Sequence, residues 1–138
     1  MKSRDTLIRL KRFHVDEKRR RVSQIEAMIA EFQRMAGDLD REILAEQTRA
    51  GIHDLTHFAY PTYAKAAAAR RDNLLQSAAD MNGQLQEAQD DLAEAFEELK
   101  KVELLDERDQ AREKTAENTR DQAVMDDIGL QSHTRRAS

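Results

Sequence analysis

The chain has 138 residues, of which 39% are hydrophobic, 36% charged and 4% aromatic, with a net charge of −4 and no cysteine. This composition is unsuited to a large compact core and, with four glycines and one proline, to a turn-rich β protein; it favours long helices that bury one apolar stripe. The absence of cysteine excludes disulfides and thiolate metal sites. No apolar run approaches a membrane span, and the basic start lacks the apolar segment of a secretory signal, so we expect a soluble, cytoplasmic protein.

The first predicted helix covers about residues 4–50 and carries a heptad repeat. Ten of its thirteen core slots are apolar, a pattern typical of a coiled coil. The slots are Ile8, Lys11, Val15, Lys18, Val22, Ile25, Ile29, Phe32, Ala36, Leu39, Ile43, Glu46 and Ala50.

Residues 51–61, GIHDLTHFAYP, predict a turn between two helices. Gly51 ends the first helix, Asp54 or Thr56 can cap the segment after it, and Pro61 suits the start of the next helix. The aromatic side chains have two readings: they pack at the tip of a two-helix structure that has little other core, or they form an exposed docking knob for a partner. These residues are Phe58, Tyr60 and Tyr63. The pair of histidines in this segment, four residues apart, lacks a third ligand, so we predict no metal site and no cofactor.

The second predicted helix covers about residues 62–128 and is longer than the first. Its apolar stripe continues without a phase slip past Asn82-Gly83, which we interpret as a soft spot on the outer face of a continuous helix. Beyond Val102 the stripe fades, and we expect 131–138 to be a disordered tail. The stripe positions are Leu74, Ala78, Met81, Leu85, Ala88, Leu92, Ala95, Leu99 and Val102.

The charges favour an antiparallel pairing of the two helices within one chain. Residues 1–22 carry nine Lys/Arg and three Asp/Glu, whereas 88–109 carry three and nine. Folding at Leu55 sets these segments opposite each other and large core residues opposite small ones. Lys11 and Lys18 could then reach Glu98 and Asp91. The prediction is an all-α, two-helix antiparallel coiled-coil hairpin, 1–130, that is monomeric when free; a dimeric scaffold using the same heptads is the alternative.

Two segments remain as candidate binding regions. The basic run Lys18–Arg21 could contact nucleic acid, but its acidic counterpart makes charge pairing within the hairpin the favoured interpretation. The overhang, about 106–130, has no matched partner in the chain, so it is either a solvated helix or a face that another protein covers. No nucleophile elbow, phosphate loop or desolvated carboxylate pair points to an enzyme.

Four stretches resemble the alphaproteobacterial branch of the flagellar FliJ family, over about residues 1–130. They are MKSRDTLIRLKRFHVDEKRRRVSQIEAMIAEF, DLDREI, GIHDLTHFAYPTYAKAAAARRDNLL and EAFEELKKVELL, and the stretch from Gly51 to Leu74 is the most specific. The resemblance implies a cytoplasmic, non-enzymatic hairpin of the flagellar type III export apparatus, located at the base of the motor.

The resemblance also implies three partners: the hexameric export ATPase, the cytoplasmic domain of the export gate, and the export chaperones. No catalytic or cofactor residue is carried over, and no nucleic acid or membrane partner is expected except peripherally through the apparatus. Candidate partner-binding residues are Arg19, Arg20, Arg21, Phe58, Tyr60 and Tyr63. A chaperone escort without effect on the ATPase is a second interpretation.

Overall fold

The structure is a computed structural model that describes residues 2–54, 56–57, 59–60 and 62–137, and the side chains of these residues except 2–3 and 136–137. Two helices account for nearly all of it, α1 (Lys2–Ala50) and α2 (Thr62–Ala137). They pack against each other as an antiparallel hairpin, and α2 is the longer helix. The predicted fold class is therefore confirmed.

The contacts divide the chain into two compact units. We call Met1–Arg12 with Phe96–Ser138 the terminal unit, and Phe13–Ala95 the turn unit. Each unit contains one segment of α1 and one of α2.

The apolar stripe of α1 lies where the heptad repeat places it. All the predicted core slots of α1 are buried or half-buried except Ala50, which is exposed at the end of the helix. Ile25 is 1% exposed, the lowest value of any large side chain among the described residues. Burial of this stripe supplies most of the stabilisation, because in a two-helix structure each helix can bury apolar side chains only against the other helix.

Two apolar clusters form the core of the turn unit. In one, Ile25 packs with Met81 and Ala88, flanked by half-buried side chains of both helices. In the other, Ile43 and Tyr60 pack against a group of small residues at the start of α2. These small residues are Ala64, Ala67 and Ala68. Because these alanine side chains are small, α1 with its larger Ile43 can approach α2 closely. The sequence predicted this placement of large residues opposite small ones.

The terminal unit has a shorter core and carries the predicted charge pairing. Ile8, Leu99 and Val102 are buried in it. The Lys11 ammonium lies 3.6 Å from a carboxylate oxygen of Glu98, as the antiparallel register predicted, and Arg4 pairs with the carboxylate of Asp109.

The turn begins where the sequence predicted. Gly51 has φ 72°, the left-handed conformation that favours glycine, and its N–H donates to the Gln47 carbonyl at 2.8 Å,. Asp54 then forms an Asx turn, in which its Oδ1 accepts hydrogen bonds from Thr56 N at 2.9 Å and Thr56 Oγ1 at 2.7 Å,. The predicted fold point at Leu55 and restart at Pro61 lie outside the described residues.

α2 differs from the prediction at its carboxyl end. The helix is continuous past Gly83, which is exposed as predicted, but it extends through 131–137, where the sequence predicted a disordered tail. Local hydrogen bonds along the helix accompany this extension: Gln131 Nε2 donates to Asp127 at 3.5 Å, and Thr134 Oγ1 donates to the Leu130 carbonyl at 2.9 Å. The apolar stripe fades where α2 stops pairing with α1. The residues that follow still favour a helix, so α2 continues.

Candidate partner-binding surfaces

The three arginines at 19–21 are exposed on α1 in the turn unit. Consecutive helical residues point about 100° apart, so the three side chains do not share one direction. Arg20 Nε donates to the Asp16 carbonyl at 3.5 Å. Arg21 borders a shallow groove whose other lining includes Glu87 and Asp91 of α2.

The charge pairing with α2 that the sequence interpretation supposed for this basic run is not seen at three of its residues. Among the described residues, Lys18, Arg20 and Arg21 make no ion pair with α2, and Lys18 does not reach Asp91 as predicted. Lys18 is half-buried at its core slot, a position at which a lysine can bury its aliphatic stem and keep its ammonium in water. The guanidinium groups of Arg20 and Arg21 thus keep the capacity to pair with carboxylates of a partner.

The aromatic residues of the turn divide into a buried one and an exposed one. Tyr60 is 8% exposed, and its Oη accepts a hydrogen bond from Gln47 Nε2 at 2.7 Å. Tyr60 therefore belongs to the core. This agrees with the first interpretation of the turn aromatics, in which they pack at the tip, and it means that Tyr60 is not part of the surface offered to a partner. Phe58 lies outside the described residues.

Tyr63 remains a candidate docking residue because it is 56% exposed. Its hydroxyl donates to Glu42 Oε2 at 2.7 Å, which holds the ring against α1. Accepting this bond, the Glu42 carboxylate raises the pKa of the Tyr63 hydroxyl, since its negative charge disfavours the phenolate,. The ring borders a shallow groove of about 290 Å³ with Met35, Leu39 and Arg70.

A second link between the helices lies beside this groove. Arg71 donates to Asp40 at 2.9 Å across the pair and to Asp72 at 3.0 Å on its own helix. These hydrogen bonds raise the pKa of the Arg71 guanidinium, so it stays charged at any pH of interest,. The groove thus combines an exposed tyrosine ring with charged side chains nearby that hydrogen bonds hold in place. Tyrosine and arginine are enriched among the residues that anchor protein interfaces.

The histidines of the turn do not build a metal site with other ligands of the described chain. His53 and His57 are exposed, and His57 Nδ1 accepts a hydrogen bond from Ala59 N at 3.1 Å. No group of three or more His, Asp or Glu that could hold a metal ion occurs among the described residues.

The sequence interpretation missed an apolar patch on α2. Val124, Met125 and Ile128 are 57%, 65% and 55% exposed in the terminal unit. Their i, i+1, i+4 spacing was the available signal, but it falls outside the heptad frame that located the core. From 110 to 135 every described side chain of α2 is exposed, so α1 covers none of them.

Neither helix has a stretch apolar enough to cross a membrane, judged over the part of the chain that the structure describes. A search of curated proteins found no match, and a search of solved structures found none either. A family model described as Flagellar FliJ protein matches residues 1–138. This match over residues 1–138, with which the two-helix hairpin agrees, leads to one assignment: the chain belongs to the flagellar FliJ family, whose members are components of flagellar protein export.

Proposed function

We propose that this chain is a non-enzymatic coiled-coil stalk that engages the hexameric export ATPase and links it to the export gate and the export chaperones. It acts in the cytoplasm at the base of the flagellar motor. Family membership supports the export role. The stretch from Gly51 to Leu74 supports placement in the alphaproteobacterial branch.

The observation that carries the proposal is the unpaired length of α2. Near the start of α1, Arg4 forms a hydrogen bond and an ion pair with Leu105 and Asp109 of α2, yet α2 continues to Ala137 with every described side chain from 110 to 135 exposed. A helix that is solvated over this length gains little from folding alone. A partner that packs against it would supply the missing contacts.

The direct test is the ATP hydrolysis rate of the cognate export ATPase, measured with and without this protein near the concentration at which the ATPase assembles. We expect the rate to rise in parallel with hexamer formation, since a stalk that contacts several subunits favours the ring by mass action. An unchanged rate would contradict the ATPase role and favour the chaperone escort. Light scattering of the free protein is expected to give a monomer; a dimer would favour the scaffold.

The basic run offers a test of where the ATPase binds. Replacing Arg19, Arg20 and Arg21 with Glu is expected to weaken ATPase binding at least about tenfold at low salt, because cations that pair across an interface become repulsive. Binding is measured by surface plasmon resonance, and circular dichroism checks that the helices are retained.

A control with the same change in charge separates a local contact from loss of overall positive charge. The control replaces Arg41, Arg49 and Lys65, near the turn, with Glu; all three side chains are exposed. Equal weakening by the two triple variants would refute a specific role for 19–21.

The exposed aromatic of the turn is our candidate contact for the export gate or a chaperone. Replacing Tyr63 with Ala should reduce capture of the gate domain or a chaperone in a pull-down, because the aromatic edge of the groove is removed. Leu75→Ala is the control, since Leu75 is also exposed, at 44%, in the same unit. If the two variants capture these partners equally, Tyr63 is not the anchor.

A further inference from the structure

The face of α2 that contacts α1 continues along α2 beyond the amino-terminal end of α1. In the terminal unit, Leu99 and Val102 are buried, and Asp106 and Asp109 are half-buried. The side chain of Arg4 donates to the Leu105 carbonyl at 3.3 Å. From residue 110 onward, α2 has no cover in the described structure.

Helix geometry identifies which residues prolong this face. At 3.6 residues per turn, a straight helix repeats the same direction after about 18 residues. Glu117 therefore points in the direction of Leu99, and Val124 in the direction of Asp106. Ile128 follows Val124 by about one turn. Arg120 likewise points in the direction of Val102, and Asp127 in that of Asp109. An adjoining stripe shares Glu117 and Val124 with this prolonged face and consists of Glu117, Asp121, Val124, Met125 and Ile128; we call it the overhang face.

The overhang face is acidic toward its amino-terminal end and apolar toward its carboxyl-terminal end, and the exposed Arg120 borders its acidic part. Val124, Met125 and Ile128 are each more than half exposed. Glu117 and Asp121 make no hydrogen bond or ion pair with a described residue.

Two other acids nearby are engaged along the helix. Asp126 accepts a hydrogen bond from Gln122 at 3.1 Å, and Asp127 accepts one from Gln131 at 3.5 Å. Glu117 and Asp121, like the neighbouring Glu113, have no such partner among the described residues, so their carboxylates are available to cations of another molecule,.

We propose that the overhang face docks a basic amphipathic helix of a partner protein. This helix would pack on α2 beyond the amino-terminal end of α1. Apolar residues of that helix would cover Val124, Met125 and Ile128, and its Lys or Arg residues would pair with Glu117 and Asp121. This reproduces the chemistry of the α1 contact, in which basic Arg4 and Lys11 meet acidic residues of α2. The inference rests on the proposed function, since it names the chemistry of a partner of the unpaired helix.

A partner helix fits this face better than a second copy of the chain. The basic part of α1 in the terminal unit already has its apolar side packed, with Ile8 buried at 8% exposure and Lys11 paired. Pairing two overhangs would bring acidic residues of both copies together around a small apolar centre, and like charges across an interface oppose association.

The test uses a fluorescent synthetic peptide of about 20 residues, long enough for an amphipathic helix. It carries leucine at the core positions and lysine at the flanking ones; a second peptide has glutamate in place of each lysine. Fluorescence anisotropy measures binding of each peptide to the full-length chain. We expect the lysine peptide to bind more tightly than the glutamate peptide.

Matched variants locate the binding face. Val124→Ser with Ile128→Ser should weaken binding of the lysine peptide by about tenfold or more, as loss of an apolar anchor does. Leu130→Ser should leave it unchanged, because Leu130 is exposed at 67% but points to the opposite side of the helix,. Glu117→Gln should weaken binding, and Asp126→Asn, on the side away from the overhang face, should not.

Several results would overturn the inference. They are equal binding of the lysine peptide by the Val124/Ile128 variant and the native chain, equal effects of the Glu117 and Asp126 variants, and a dimer in light scattering that the Val124/Ile128 variant abolishes. The last would identify a second copy as the occupant. Circular dichroism of each variant checks that α2 remains helical.

Capture of the export ATPase separates this inference from the proposed function. If the native chain and the Val124/Ile128 variant capture the ATPase equally and also bind the lysine peptide equally, the inference is overturned while the proposed function stands. If neither captures it but the peptide results hold, the proposed function fails and the docking chemistry is supported.

Discussion

Replacing Ile25 with Ala should be among the most destabilising single changes in the turn unit. Ile25 is 1% exposed and packs against Met81 and Ala88, with Val22 and Leu85 close by. The change removes about three buried carbon groups at about 0.8 kcal/mol each, or about 2.4 kcal/mol. A cavity adds to this loss, whereas the higher helix propensity of Ala returns a few tenths of a kcal/mol. Because two helices can partly close the gap, we expect a loss of about 2–3 kcal/mol.

The assay is urea unfolding followed by far-ultraviolet circular dichroism, with the free energy of unfolding extrapolated to water. Met28→Ala is the matched control: it lies in the same segment of α1 and removes a side chain of similar size, but Met28 is 47% exposed. We expect the control to change stability by less than about 0.5 kcal/mol. If Ile25→Ala costs no more than Met28→Ala, the helices do not pair in this register and the reasoning from the apolar stripe is wrong.

Three further predictions concern the turn unit. Gly83→Ala should raise the free energy of unfolding by about 0.5–1 kcal/mol in the same assay, since an added Cβ meets nothing within 4 Å and Ala favours the helix,; destabilisation would show that the glycine is needed there. Tyr60→Phe should cost about 1 kcal/mol because the hydrogen bond from Gln47 is lost,; no loss would mean that solvent replaces it fully. Hydrogen bonds from the Thr56 side chain and backbone lower the pKa of Asp54 below its ordinary value of 3.8, so this stabilisation is present above that pH and is lost as pH falls through the lowered pKa. An NMR titration should show the lowered pKa, and Thr56→Ala should raise it; an unchanged pKa in that variant would contradict the assigned cause.

The pairing of the helices was predictable because its determinants repeat along the sequence. Heptad spacing specifies the buried face of each helix, and opposite charges with a central turn specify antiparallel direction. The contact of Lys11 with Glu98 follows from these two features alone. The contact predicted for Lys18 with Asp91 is absent, because a flexible cation at a core slot can bury its stem without reaching a particular acid.

The candidate site was less predictable because its exposure depends on tertiary detail. Tyr60 and Tyr63 are three residues apart and chemically alike, yet only the first is buried, since the path of the turn directs it onto Ile43. The sequence prediction ended α2 too early because it relied on the apolar stripe, which indicates only where a helix pairs with another helix. Helix formation continues on local hydrogen bonds and propensity after pairing has ended.

The two parts of α2 depend on different sources of stability, and this bears on function. Eleven of the fourteen buried hydrophobic residues among those described lie in the turn unit. From 110 to 135 the helix instead relies on local Gln–Asp hydrogen bonds, as between Gln122 and Asp126. Such bonds contribute only about 0.2–0.5 kcal/mol each. Surface substitutions in this segment therefore cost little folding stability, while a partner that covers the overhang face stabilises the helix by the free energy of its own binding. Binding here can consequently be altered without disturbing the core that holds the hairpin together.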